Sequence, residues 1–295
     1  MNSQVIHEIY TRLFIFIFTQ DADLVQQILR NPNILINYFK RDGMYKYRHI
    51  LIDEAQDLSG EWLRLFKNLL NKTLASSTWV FSDSYQVVRR EIDMPDKTQK
   101  EDFQERTLRK VVRNTHEVFN AYQHVFADIN ATESSSKPVV EHNVYGVEPE
   151  YIVAQNEEEI QDKVLEKLKE LLEKKVSNRD LEIAVITHGN SHSFLGPKPS
   201  DTIRKFLESN EISCTDAEEG TRMRHYKKIP RNKVIVDTVQ RFKGLEAKVL
   251  IFCIVGDWKP RDVDVYVAFS RSFCHLIVIG KSDTITEIKT KQKES

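Results

Sequence analysis

Few features of this chain fix a function by composition alone. It holds three cysteines in 295 residues. Cys214, Cys253 and Cys274 lie far apart and form no C-x-x-C pair, which argues against a disulfide framework and a structural zinc site and favours a reducing compartment. No apolar run approaches the length of a membrane span. L13-F-I-F-I-F, residues 13 to 18, is too short and lacks a signal-peptide cleavage region, so no membrane partner is expected and the reading is intracellular, nuclear or cytoplasmic. Neither sign of charge is in excess: the net charge is -1, which neither predicts nor excludes a nucleic-acid partner, because a local basic groove can coexist with a neutral total. A chain with 40% hydrophobic and 29% charged residues is neither disordered nor fibrous. Its length fits one large or two ordinary domains.

Apolar, strand-like runs end in polar turns at I50-L-I-D, T78-W-V-F-S-D, L181-E-I-A-V-I-T, K233-V-I-V-D-T and A247-K-V-L-I-F-C-I-V, and H275-L-I-V-I-G closes the series. Helical periodicity fills several gaps, notably around residues 61 to 70 and 157 to 175. The alternation predicts an α/β chain with mostly parallel sheets, and in such sheets ligands gather at the carboxyl ends of strands, where these polar clusters are expected to lie. The polar stretch A131-T-E-S-S-S-K-P reads as a connection, with loops around 189 to 199 and 216 to 231.

In H49-I-L-I-D-E-A-Q-D, three carboxylates, Asp53, Glu54 and Asp57, fall within five positions after an apolar strand. Such acids repel unless a cation or proton joins them. One reading is a magnesium site in which Asp53 holds the ion and Glu54 orients a water, with substrate phosphates completing the coordination. The other is a solvated turn whose acids cap the following helix. About 25 residues later, W79-V-F-S-D-S-Y-Q carries Asp83 and Gln86 past a second strand; if the strands are parallel neighbours, the two clusters meet. V111-V-R-N-T then opens a helix and presents Arg113. His188 and His192 in T-H-G-N-S-H read as loop residues rather than metal ligands.

At this point the chain resembles a superfamily 1 helicase of the UvrD/Rep type from motif II onward. D53-E-A-Q-D matches motif II, S82-D-S-Y-Q motif III, V112-R-N-T motif IV, D237-T-V-Q-R-F-K-G-L-E motif V and Y266-V-A-F-S-R-S motif VI. In detail it looks most like the helicase-like C-terminal region of Schlafen proteins, through V111-V-R-N, W79-V-F and the R-F-x-G-L-E form of motif V; nothing resembles the N-terminal core of those proteins. The resemblance implies RecA-like parallel-sheet lobes, ATP and magnesium as cofactors, and single-stranded DNA or RNA as partner, with a protein partner as a further candidate. It implies Asp53 for magnesium, Glu54 for the attacking water, Gln86 as phosphate sensor, and Arg113 with Arg271 as arginine fingers that stabilise developing phosphoryl charge. Glu246 would accept hydrogen bonds from ribose hydroxyls, Gln56, Asp83, Lys243 and Gly244 would line the nucleotide, and Thr238 and Gln240 would couple it to nucleic acid. Arg271 is placed on a helix from Asp264 to Ser272.

One motif is missing. The family's phosphate cradle, G-x-x-x-x-G-K-[ST], does not occur; the G-K-S at Gly280 to Ser282 has His275 where the first glycine belongs and follows motif VI. Losing the lysine and a charged backbone contact removes about 3–6 kcal/mol, about two to four decades of affinity. The first lobe, residues 1 to 107, is therefore expected to be incomplete, and residues 108 to 295 to form the second lobe. Two readings stay open. The chain is an ATPase module of the helicase type, a fragment or inactive alone, or it is a non-catalytic pseudo-helicase that binds nucleic acid or protein.

Overall fold

The computed structural model describes residues 49–53, 55, 77–83, 104, 106, 108, 110–126, 138–174, 182–188, 198–217 and 233–293. The chain divides into two compact units, Met1–Glu105 and Arg106–Ser295.

In the first unit two short strands, β1 (His49–Ile52) and β2 (Ser77–Val80), pair in parallel with Ile52 opposite Val80. Ile52 and Ala55 are buried, with Ile50 and Val80 packed against them. Leu51, Trp79 and Phe81 are exposed.

The second unit is an α/β domain with a six-stranded parallel sheet and helices. Its elements are β3 (Lys110–Val111), α1 (His116–Tyr122), a 3-10 turn (Gln123–Phe126), β4 (Val139–Val140), β5 (Glu150–Val153), α2 (Glu157–Lys174), β6 (Ile183–Thr187), α3 (Pro199–Ser209), β7 (Cys214–Thr215), β8 (Val234–Thr238), β9 (Ala247–Cys253), α4 (Asp262–Phe269), β10 (Ser272–Gly280) and α5 (Ser282–Lys293). The strand order is β5-β10-β9-β6-β8-β7, every neighbouring pair parallel. β3 and β4 form a separate parallel pair.

Parallel sheets survive when helices cover both faces, so their strands read as unbroken apolar runs. One face carries Ile183, Val185, Val236, Val249, Ile251, Ile277 and Ile279, packed with Ile160, Val164 and Leu168 of α2 and Ile203 and Leu207 of α3. The alternate residues Ala184, Ile186, Leu250, Phe252 and Val278 are buried as well, and Phe252 packs edge-on against Phe269 of α4 at 6.1 Å. The 157–175 periodicity is thus realised as α2, whose apolar stripe closes the core. The strands the sequence marks are present; β10 starts three residues before the apolar run at His275.

One helix boundary is corrected. The helix expected from Asp264 to Ser272 runs from Asp262 to Phe269, so Arg271 lies beyond it. It begins early because the Asp264 carboxylate accepts the Arg261 backbone N–H at 3.0 Å and the Arg261 guanidinium at 2.7 and 2.8 Å, satisfying a donor that a helix start leaves orphaned. It stops early because Ser270 and Arg271 must turn the chain into β10.

Candidate functional site

The second unit carries polar side chains on two opposite rims of its sheet. Ligands are expected beyond the carboxyl ends of strands, and Thr238, with Asp237, does lie at such an end. Glu246 and Arg271 do not: each immediately precedes a strand, β9 and β10 respectively, which puts them at the amino rim.

At the amino rim, Arg113 and Glu246 meet. The Arg113 Nε lies 2.8 Å from Glu246 Oε2, with both side chains about half exposed. The two residues expected to serve phosphate and ribose are therefore paired with each other. Arg271 is buried. Its Nε donates to the Val267 carbonyl at 3.2 Å and its Nη2 to the Ser270 hydroxyl at 3.1 Å, so the guanidinium satisfies a carbonyl at the end of α4, where a cation is also favoured by the helix dipole. The Arg271 carbonyl accepts the Ala247 N–H at 3.0 Å, which ties the Ser270–Arg271 turn to the residue after Glu246.

A residue that sequence reasoning passed over joins these parts. Asn114, buried beside Arg113, donates through Nδ2 to the Ser270 carbonyl at 3.0 Å and to the Ser272 carbonyl at 2.6 Å, and its Oδ1 accepts the Tyr122 hydroxyl at 2.8 Å. The Thr115 N–H donates to the Phe273 carbonyl at 3.1 Å. Gly146 completes the seam: its N–H donates to Glu117 Oε2 at 2.6 Å, which holds that carboxyl below its usual range. A Cβ on Gly146 would strike the Cys274 carbonyl oxygen and the Thr115 hydroxyl.

At the carboxyl rim, Asp237 is buried and its carboxylate accepts the backbone N–H of Ala217 at 2.9 Å and of Thr238 at 2.7 Å. The Thr238 hydroxyl accepts the Arg241 N–H at 3.3 Å, and the Val239 N–H donates to the Thr187 carbonyl at 2.7 Å. Gln240 is exposed, Lys243 half-buried, Phe242 fully buried, and Gly244 takes a positive φ of 82°, a region open to glycine. His188 stacks on Trp258 with ring centroids 4.5 Å apart and planes 12° from parallel. Burial holds the His188 imidazole below its ordinary pKa, opposed by Asp264.

In the first unit, parallel pairing brings the turns after β1 and β2 together: the Phe81 N–H donates to the Ile52 carbonyl at 2.8 Å and the Ala55 N–H to the Phe81 carbonyl at 2.9 Å. Asp53 and Asp83 sit in these two turns. Glu54, Gln56, Asp57, Gln86, His192 and the run at 13 to 18 lie outside the described residues. Among the described residues no group of three or more His, Cys, Asp or Glu could hold a metal ion, and no helix is long and apolar enough to cross a membrane.

No protein-family model matches the chain, and no curated protein does. Solved structures that resemble it include the C-terminal domain of a possible DNA helicase from Lactobacillus plantarum WCFS1, with 16% identity and a TM-score of 0.41 over 60% of this chain and 92% of that one.

Proposed function

We propose that the chain is a helicase-like module of superfamily 1, nearest in kind to the Schlafen helicase-like region, whose amino rim binds the phosphates and ribose of a nucleoside triphosphate and whose carboxyl rim bears on single-stranded DNA or RNA. The observation that supports this reading best is the convergence of motifs IV, V and VI: Arg113 on Glu246, and Asn114 on both neighbours of Arg271. Three segments far apart in sequence are bonded into one rim. Guanidinium suits phosphate because its planar fork engages two oxygens at once.

Magnesium prefers one or two carboxylates plus phosphate oxygens and retained water. Under this reading Asp53, with Asp83 in the adjoining turn, is the carboxylate assigned to the ion, and phosphate and water would supply the rest of its coordination. Bound there, it would neutralise phosphate charge. Glu54 is the carboxylate assigned to the water's proton. Without the G-x-x-x-x-G-K-[ST] cradle, weak ATP-magnesium binding and background hydrolysis are expected.

The non-catalytic reading draws support from the two arginines, one buried against its own backbone and the other held by Glu246. Turnover decides between them. ATP hydrolysis by the purified chain, with and without single-stranded DNA and RNA, is expected at background. Robust hydrolysis that survives Glu54→Gln would overturn the site assignment, while hydrolysis lost in Glu54→Gln would favour the enzyme over the pseudo-helicase.

A further inference from the structure

Asn114 is 4% exposed, and an asparagine amide has two donor hydrogens to place. Both go to carbonyls, those of Ser270 and Ser272, 156 and 158 residues away in sequence. Those carbonyls bracket Arg271. The Ser270–Arg271 peptide cannot rotate without losing the first, nor the Ser272–Phe273 peptide without losing the second, and a buried N–H left without a partner is costly. The same asparagine is the chain neighbour of Arg113, and its Oδ1 is fixed by the Tyr122 hydroxyl from α1 at 2.8 Å. From the opposite side the Ala247 N–H fixes the Arg271 carbonyl, one residue after the Glu246 that holds Arg113.

We infer that Asn114 is the positioning residue that fixes the backbones of Arg113 and Arg271 relative to each other, so that both act on one polyphosphate chain. The inference rests on the phosphate-binding reading of the amino rim. The residue type follows from the geometry: aspartate has the shape but no donors, serine has a single donor, and glutamine carries its amide one methylene too far. Asn114 touches no phosphate in this scheme; it acts through the two arginines.

The test uses the full chain and separates the donors from the acceptor. Asn114→Asp keeps the size and the Tyr122 bond and removes both N–H donors, whereas Tyr122→Phe removes the third bond and keeps them. Two quantities are read: affinity for inorganic tripolyphosphate by calorimetry, and water exchange of the Arg113 and Arg271 Nε–H groups by nitrogen-15 NMR. Asn114→Asp is expected to weaken tripolyphosphate about tenfold, the scale of two ordinary hydrogen bonds, and to quicken Nε–H exchange at Arg271. Tyr122→Phe is expected to lower the unfolding temperature while leaving both readouts near wild type. If Asn114→Asp does not fold, Asn114→Ser, with one donor, should give an intermediate loss. Wild-type exchange in a folded Asn114→Asp chain, or losses in both variants that merely track stability, would overturn the inference. If the wild-type chain binds no tripolyphosphate, the phosphate reading of the rim fails, and the exchange comparison still decides whether Asn114 holds the Arg271 turn.

Discussion

Replacing Glu246 by glutamine separates the two tasks that fall on this side chain. The carboxylate lies 2.8 Å from Arg113 Nε, and both partners are about half exposed, so the pair is a solvent-screened one, worth about 0.2–1 kcal/mol. Removing the charge frees Arg113 from a competitor for anions, and tripolyphosphate, which has no ribose, should bind tighter by no more than about fivefold. The gain should shrink as salt rises, because screening already weakens the competing pair. ATP-magnesium should respond in the opposite sense. If Glu246 accepts a ribose hydroxyl, losing a charged acceptor costs about 1.5–3 kcal/mol, more than release of Arg113 returns, so net affinity should fall. Calorimetric titration of wild type, Glu246→Gln and Arg113→Ala with both ligands makes the comparison, and Arg113→Ala should erase the tripolyphosphate gain. An equal tightening of both ligands would refute the ribose role and leave Glu246 as a guard on Arg113. No change with either ligand would refute the placement of the pair in a nucleotide site.

Acidification should destabilise the second unit. Burial holds His124, His188 and His275 below the ordinary imidazole pKa; the unfolded chain therefore binds protons more readily, so their contribution is fully present above about pH 6.5 and is lost as pH falls through the folded values. A urea midpoint that rises between pH 7.5 and 5.5 would refute this. Gly146→Ala should lower stability by about 1–3 kcal/mol, because the added Cβ meets a backbone carbonyl and a buried threonine, and thermal unfolding should show a drop of several degrees; an unchanged melting temperature would mean the seam at Gly146 is looser than drawn. Limited proteolysis should leave a stable C-terminal fragment starting between about residues 105 and 140, since an α/β unit with its own core folds alone and the units divide at Glu105 and Arg106. Preferential survival of the N-terminal piece would contradict that.

The central strands were legible because burial on both faces forces continuous apolar runs, as in Ile183–Thr187 and Ala247–Cys253. The edge strand Glu150–Val153 was not, since a short, half-exposed run carries no such signature, and two-residue strands such as Lys110–Val111 lie below any periodicity. The loop read up to Pro199 took in only the first residue of α3, although a proline at that position is a recognisable helix start. The amino-rim placement of Glu246 and Arg271 is readable from residue order, because a polar residue that precedes an apolar run stands at the strand's beginning. Asn114 could not have been found from one sequence, because its partners are about half a chain away and are carbonyls, which every residue has.

The segment from Asp237 to Glu246 links the two rims. β8 and β9 are parallel and separated by β6 in the sheet, so residues 239 to 246 must return from the carboxyl end of one strand to the amino end of the other. That return spans about 20 Å along the strands and about 10 Å across them, whereas eight residues reach at most about 29 Å. The turn consumes part of the length: the Phe242 N–H donates to the Thr238 carbonyl at 2.9 Å, the Leu245 N–H to the Phe242 carbonyl at 3.0 Å, and Gly244 supplies the positive φ. A crossover between parallel strands ordinarily takes a dozen residues or more; this one has little slack, and the fully buried Phe242 pins its middle. Thr238 and Gln240 at one end and Glu246 at the other are therefore joined by a short, anchored strap. Under the proposed function, nucleic acid at the carboxyl rim would bias the Arg113–Glu246 pair at the amino rim through that strap.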